Sequence, residues 1–247
     1  MKIIISPAKK MVSDHDSGIT PTEPVFTDKA KKLHDIMSAM DFGELKKLLN
    51  CADDTVKLNM ERLERGFRPG PLTPAVFAYD GIQYKYMAPA VFSDSGLKYI
   101  GEHLYIISGL YGLLRAFDGV APYRLGMQSK PVGDIKTLYD FWGRDIYDAL
   151  CPNGETIINL ASKEYSRAVL PFCTKGQVIN CVFGEMNGTK VREKATMCKM
   201  ARGSMVRFMA ENDITSPEGL KDFDQLGFSY DSSLSKENEL VFIKQKE

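Results

Sequence analysis

The 247 residues are 44% hydrophobic and 26% charged, near the average for folded globular proteins, which excludes a chain too polar to bury a core. No stretch approaches the roughly 18 consecutive apolar residues of a membrane span. Formal net charge is zero, from 32 basic and 32 acidic residues, so the chain is not uniformly basic in the way that many nucleic-acid binders are. The total leaves distribution open. The acids Asp41, Glu44, Asp53, Asp54, Glu61 and Glu64 crowd one helical region, while basic residues mark the middle and C-terminal motifs.

In chain order, Lys2–Ile5 reads as a short apolar strand ended by Ser6-Pro7, since proline cannot donate to a ladder. Residues 11–26 read as a loop. Residues 27–65 carry apolar side chains at three- and four-residue steps (Leu33, Ile36, Met37, Met40, then Leu45, Leu48, Leu49) and break near Asn50-Cys51-Ala52, with Asp53 a cap for the next helix. In outline this is a helix-hairpin-helix. A helix follows around Ser93–Glu102. Leu104–Ser108 is a buried-strand pattern, and Ile135–Leu150 an amphipathic helix. Thr156–Leu160 is a strand running into a helix from Ser162, and Val178–Phe183 is another strand. Residues 194–212 form a long helix, and Leu240–Lys244 a last strand. Strands alternating with helices place the chain in the α/β (α+β) class, a mixed sheet with surrounding helices.

Five cysteines (Cys51, Cys151, Cys173, Cys181, Cys198) form no CxxC pair, which fits reduced thiols in a cytoplasmic protein. His15, His34 and His103 fall in no metal-binding pattern and GxSxG is absent, so neither a metal nor a serine-hydrolase site is expected. No cofactor motif is present. In the long helix, Lys199, Arg202 and Arg207 share a face opposite Met197, Ala201, Met205 and Met209. That face is either solvated or a row of cations for phosphates. Gly203 allows close approach of a ligand or of another helix. The turn Ser108-Gly109-Leu110-Tyr111-Gly112 can expose backbone N–H groups, and Arg115 and Arg124 follow it with Tyr123. Arg115 can equally pair with Asp118. Lys9 and Lys163 lie just past strand ends, where α/β sites collect. Either could serve as the amine of a glycosylase/lyase-like reaction on nucleic acid, with Glu164 nearby.

Taken in order, these motifs resemble the YaaA family of peroxide stress proteins. The resemblance runs from Ile3-Ile4-Ile5-Ser6-Pro7-Ala8-Lys9 through Ser108–Gly112, Pro122-Tyr123-Arg124, Phe141-Trp142-Gly143, Asn159–Ser162 and Ala201-Arg202-Gly203 to Glu239–Phe242, essentially the whole chain as one domain of residues 1–247. It implies a cactus-like mixed fold with a helix-hairpin-helix element and a positively charged cleft. It also implies binding to double-stranded DNA and protection from peroxide by limiting iron-dependent (Fenton) damage. The implied DNA-binding residues are Lys9, Arg115, Arg124 and Lys163, with Lys199, Arg202 and Arg207 from the long helix. Met200 stands where a further basic residue is expected, and residues 27–65 lack an LPGxG-type hairpin. Asn212–Phe223 is a second place for the element.

Overall fold

Ile3, Ile4 and Ile5 are fully buried in the strand that the sheet is built around. The computed structural model describes residues 1–14, 16–129 and 132–245, so the loop histidine His15 lies outside the described residues. The chain opens with β1 (Lys2–Ile5) and β2 (Lys10–Met11), followed by α1 (Thr27–Ser38), α2 (Phe42–Leu49) and α3 (Asp53–Glu64). Then come β3 (Thr73–Pro74), α4 (Ala75–Ala78), β4 (Tyr79–Asp80), α5 (Ile82–Met87) and α6 (Asp94–His103). The middle holds β5 (Leu104–Ser108), β6 (Gly112–Arg115), β7 (Gly119–Val120), α7 (Leu138–Trp142) and α8 (Asp145–Leu150). The last third holds β8 (Ile157–Leu160), α9 (Lys163–Ser166), β9 (Val178–Asn187), β10 (Lys190–Arg192), α10 (Ala195–Glu211), β11 (Phe228–Tyr230) and β12 (Glu239–Lys244).

The main sheet runs β11-β12-β9-β8-β1-β5-β6, with β10 paired to β9. From β12 to β5 every pairing is parallel, and β11, β10 and β6 are antiparallel additions. The fold is α/β with a mixed sheet. After β1 the chain builds β5 and β6 on one side, then crosses to β8 on the other, so β1 and β8 flank the point where strand order reverses. Crevices form outside the carboxyl ends of strands at such a point. Ser6 follows β1 and Ser162 follows β8. The backbone N–H of Ser162 donates to Ser6 Oγ at 2.8 Å, and the two hydroxyls lie 3.2 Å apart.

Two predicted helices divide. Residues 27–49 split into α1 and α2 because Asp41 caps α2 with a complete capping box: its carboxylate accepts from the Glu44 N–H at 2.8 Å, and Glu44 accepts from the Asp41 N–H at 2.9 Å. The predicted helix over 135–150 splits into α7 and α8 at Gly143, whose φ of 51° and ψ of −127° no helix accommodates. Ala52 rather than Asp53 occupies the N-cap of α3. The second place considered for the hairpin element, Asn212–Phe223, contains a 3₁₀ segment at Pro217–Asp222. Strands β6, β10 and β11 carry no period long enough to read.

Gly203 of α10 resolves to helix packing. A Cβ there would lie 2.0 Å from the Gln83 carbonyl oxygen and 3.0 Å from the Met87 amide nitrogen, both backbone atoms of α5. Alanine in place of glycine normally gains a helix about 1 kcal/mol. Here Gly203→Ala is expected to cost about 1–3 kcal/mol instead, because two backbones must separate. The urea midpoint of the variant measures this, and a midpoint above that of the parent chain would contradict the contact.

Candidate nucleic-acid interface

Three adjoining cavities form one trench across the carboxyl ends of the sheet. The first lies between α3, the turn after it and the Leu110–Tyr111 turn, and is lined by Arg62, Arg65 and Arg68 among others. It shares Tyr123 and Arg124 with the second, which also takes in Lys47 and Asn50 from the end of α2. The second shares Lys9, Glu164 and Tyr165 with the third, which reaches Gln83 of α5 and both Lys199 and Arg202 of α10. Along the trench the cations are therefore Arg62, Arg65, Arg68, Arg124, Lys47, Lys9, Lys199 and Arg202. Glu164 is the one carboxylate among the described lining residues. A chain with no net charge has gathered eight cations against one acid in one concavity. The acidic residues of α2 and α3 named above are all exposed, and none of them lines the trench.

Arg68 pairs with Glu23, and Arg202 comes within 4.0 Å of Glu193. The other six make no ion pair among the described residues. Three buried side-chain polar atoms lack a hydrogen-bond partner there: His34 Nε2, Arg68 Nε and Arg202 Nε. All three belong to residues that line the trench. Buried donors and acceptors are almost always satisfied, so these three atoms call for a partner from outside the chain, water or ligand.

Of the sequence-predicted residues, the structure brings Lys9, Arg124, Lys199 and Arg202 together in the trench. Arg115 is placed elsewhere. Its guanidinium donates to the fully buried Asp118 carboxylate at 2.8 and 3.0 Å and to the Glu23 carbonyl at 2.7 Å. Arg207 pairs with Glu211 one turn on, at 2.7 Å. Lys163 is exposed at the start of α9 and lines none of the three cavities, although its neighbour Glu164 does. The Gly109–Gly112 turn is packed shut. A Cβ at Gly109 would meet the Leu125 carbonyl at 2.4 Å, and Gly112, at φ +70°, sits on the Trp142 ring.

Sequence reading missed Lys47, Arg62, Arg65 and Arg68. They come from a helix end and a turn, and only tertiary packing brings them to the strand ends.

A hydroxyl network forms the floor. Tyr123 Oη lies 2.5 Å from Ser108 Oγ and 2.8 Å from Tyr79 Oη, and Ser108 Oγ accepts from the Tyr111 N–H at 2.9 Å. Tyr84 donates to the Ser6 carbonyl at 3.0 Å. The network fixes Tyr123, the residue just before Arg124. Glu164 is held from the other wall, its carboxylate accepting from the Gln128 N–H at 3.3 Å. Burial pushes the Tyr123 hydroxyl up to about 12, although hydrogen bonds with Ser108 and Tyr79 partly offset it. Burial likewise raises Tyr79 and Tyr84 well above the usual tyrosine value.

Burial also pushes the Cys151 and Cys181 thiols up to about 12. All five cysteines are free. Among the described residues, no three His, Cys, Asp or Glu side chains are grouped to hold a metal ion, and no helix is long and apolar enough to cross a membrane.

The model of the family described as peroxide stress protein YaaA matches residues 1–234. A UPF0246 protein of Desulfitobacterium hafniense is 50% identical over 246 residues, covering 99% of this chain and 98% of that one. UPF0246 proteins of Lachnoclostridium phytofermentans and Pediococcus pentosaceus are 48% and 46% identical, over 99% and 100% of this chain and 96% and 99% of theirs. The chain belongs to the peroxide stress protein YaaA family.

The hydroxyl floor has a consequence at high pH. A tyrosine that ionises later in the folded chain than in the unfolded one leaves stability intact below about pH 10 and removes it as pH climbs toward the folded value. Between pH 10 and 12, Tyr123 alone is expected to withdraw on the order of 2 kcal/mol. The urea midpoint should fall steadily across that range, and less steeply in Tyr123→Phe. A midpoint independent of pH there would mean that the floor is not buried.

Proposed function

We propose that this member of the peroxide stress protein YaaA family binds double-stranded DNA in its basic trench, without reading sequence, and in that way limits iron-dependent damage under peroxide stress. The observation that carries the reading is the imbalance of eight cations to one carboxylate along one concavity. Six of those cations lack a protein counter-ion among the described residues, so phosphates would meet charges that are already free. Arginine suits the role through its bidentate fork, lysine as a point charge. Neutralising phosphates releases the counter-ions condensed on DNA, which makes affinity fall steeply with salt. The zero net charge supplies no long-range attraction beyond the trench itself, so binding is expected to be moderate and salt-sensitive.

The turn between α2 and α3 supports a place for the helix-hairpin-helix element. Asn50 adopts a left-handed conformation (φ 44°, ψ 61°), and the preceding residues Lys47–Leu49 line the trench with it. A hairpin that presents a lysine and a tight turn to a basic groove fits contact with a phosphate backbone.

A second reading is favoured by one observation: Lys9, Glu164 and Tyr165 stand together where the second and third cavities meet. A lysine beside a carboxylate is the equipment of a glycosylase/lyase-like reaction. That chemistry needs a desolvated amine, and Lys9 is exposed. Binding without chemistry therefore stands first. Borohydride trapping on abasic duplex decides between them, a Lys9 adduct establishing the enzyme.

Fluorescence anisotropy of a labelled duplex across a salt series tests the main reading. Log affinity should fall linearly with log salt, by about 0.9 for each phosphate neutralised. Arg124→Ala combined with Lys199→Ala should weaken binding to all sequences alike and reduce that slope by about 2. Arg115→Ala should leave the slope alone, since Arg115 serves Asp118. Affinity that ignores salt, or a double variant that binds like the parent, would overturn the proposal.

A further inference from the structure

The cavity at the α3 end of the trench differs in kind from the rest. The other two cavities set the rings of Tyr84, Tyr123 and Tyr165 among lysines and arginines, whereas this one packs its rings against each other. Here the walls are flat rings. Phe67 meets His34 edge-on, with centroids 5.4 Å apart, and lies 6.3 Å from Tyr111. Arg62, Arg65 and Arg68 stand around the same space.

Two features of this cavity point to a ligand. The first is its charge. Arg62 is partly buried, and both burial and the neighbouring Arg65 disfavour its positive form. Its hydrogen-bonding partner is the Asn59 side chain at 3.5 Å, with no carboxylate in reach among the described residues. Holding a half-buried arginine beside a second, exposed one costs free energy that an anion would offset. The second is the unsatisfied polar edge. His34 is only 9% exposed; its Nδ1 lies 3.4 Å from Ser38 Oγ on its own helix, and its Nε2 has no partner. Arg68 Nε is also buried without one. A bare phosphate would answer the charge but would leave the rings and the imidazole unused. A ligand that answers both has an anion at one end and a planar heterocycle with polar edges at the other.

We propose that this cavity binds a nucleoside monophosphate unit, its phosphate on Arg62 and Arg65 and its base against Phe67 and Tyr111. His34 Nε2 and Arg68 Nε then bond the base edge. Stacking on an aromatic wall tolerates any base, so the site selects nucleotides over other anions rather than one base over another. The unit has two possible sources. It is either a free nucleotide or a nucleotide turned out of DNA lying in the adjoining trench. The second source rests on the duplex-binding reading; the first does not.

Calorimetric titration with dAMP, using inorganic phosphate for comparison, tests the site in the intact chain. A base that stacks should make dAMP bind about tenfold tighter than phosphate or better. Arg62→Gln with Arg65→Gln should weaken dAMP by about tenfold or more. Arg62 lies on the last turn of α3 and Arg65 at its C-cap, where the change should leave the circular dichroism spectrum unaltered. Phe67→Leu should weaken dAMP and spare phosphate.

The second arm uses a duplex with 2-aminopurine opposite an abasic position. A fluorescence rise on adding protein, lost in the double arginine variant, assigns the unit to DNA. Binding of dAMP without that rise assigns it to the free nucleotide. Absence of both signals overturns the proposal. So does a dAMP affinity no higher than that of phosphate, or signals that the double variant leaves unchanged. Duplex anisotropy, read in parallel, reports duplex binding by the trench as a whole, this cavity included. If it shows no binding while dAMP binds, the duplex reading fails and the cavity stands.

Discussion

The pairing of β1 with β5 on one side and β8 on the other is the constraint from which the rest of the molecule follows. Ile3, Ile4 and Ile5 have no exposed surface, and each buried isoleucine side chain contributes roughly 1.5–3 kcal/mol relative to exposure. Ile3 aligns with Leu104 and Ile158, Ile5 with Ile106 and Leu160, so β1 and β8 end level and β5 runs two residues further, to Ser108. Their carboxyl ends deliver Ser6, Ser108 and Ala161-Ser162 to one edge. Ser6 and Ser162 then bond across the reversal point, while Ser108 anchors Tyr123. Shifting β1 by one residue would turn these groups to the wrong face, because side chains alternate along a strand. The trench thus inherits its geometry from the most buried part of the protein.

Charge is organised around that edge in the opposite sense to burial. The carboxylates of α2 and α3 point outward, Lys46 pairing with Asp53 across the turn at 2.5 Å, while the adjacent Lys47 lines the groove. The cost of this arrangement is mutual repulsion among the groove cations. It is tolerable because several of them, Lys9, Lys47, Lys199 and Arg65 among them, are exposed and well hydrated. Where the groove closes over Arg62, Arg68 and Arg202, hydration is reduced and unpartnered nitrogens remain. Each end of the trench therefore pairs a hydrated cation with a desolvated one, Arg65 with Arg62 and Lys199 with Arg202. Binding energy per contact should be larger at the buried cations, since Coulomb attraction grows as the local dielectric falls.

How much of this was legible depends on how local the signal was. β1, β5, β8, β9 and β12 were readable as apolar runs next to turn residues, and α10 by its methionine and alanine stripe. The break between α1 and α2 carried a written signature, Asp41-x-x-Glu44, which a purely hydrophobic period overrides. Arg115 and Arg207 each have an acid three or four positions on, Asp118 and Glu211, and both are engaged with it. Lys9 and Arg124 have no acid at that spacing, and both line the groove. The arginines of the α3 end were illegible for a different reason. Their neighbours in the cavity, Tyr111, Pro122 and Tyr123, lie dozens of residues away, and no period in one segment encodes that meeting.

The two kinds of lining also divide the work of recognition. A row of cations fixes a phosphate backbone in place but carries no information about bases, which is why such binding is uniform across sequences. Aromatic rings do the reverse, since their faces stack on a base and offer a bare anion little. In this molecule both are mounted on one rigid floor, because Tyr123 joins the first cavity to the second and is itself held by Ser108 and Tyr79. A nucleotide seated at the α3 end would therefore be positioned relative to the groove by buried hydrogen bonds rather than by loop motion. Groups already held in place lose little conformational freedom when a ligand arrives, so more of the contact energy appears as affinity. A net-neutral protein without long-range attraction has most need of that economy.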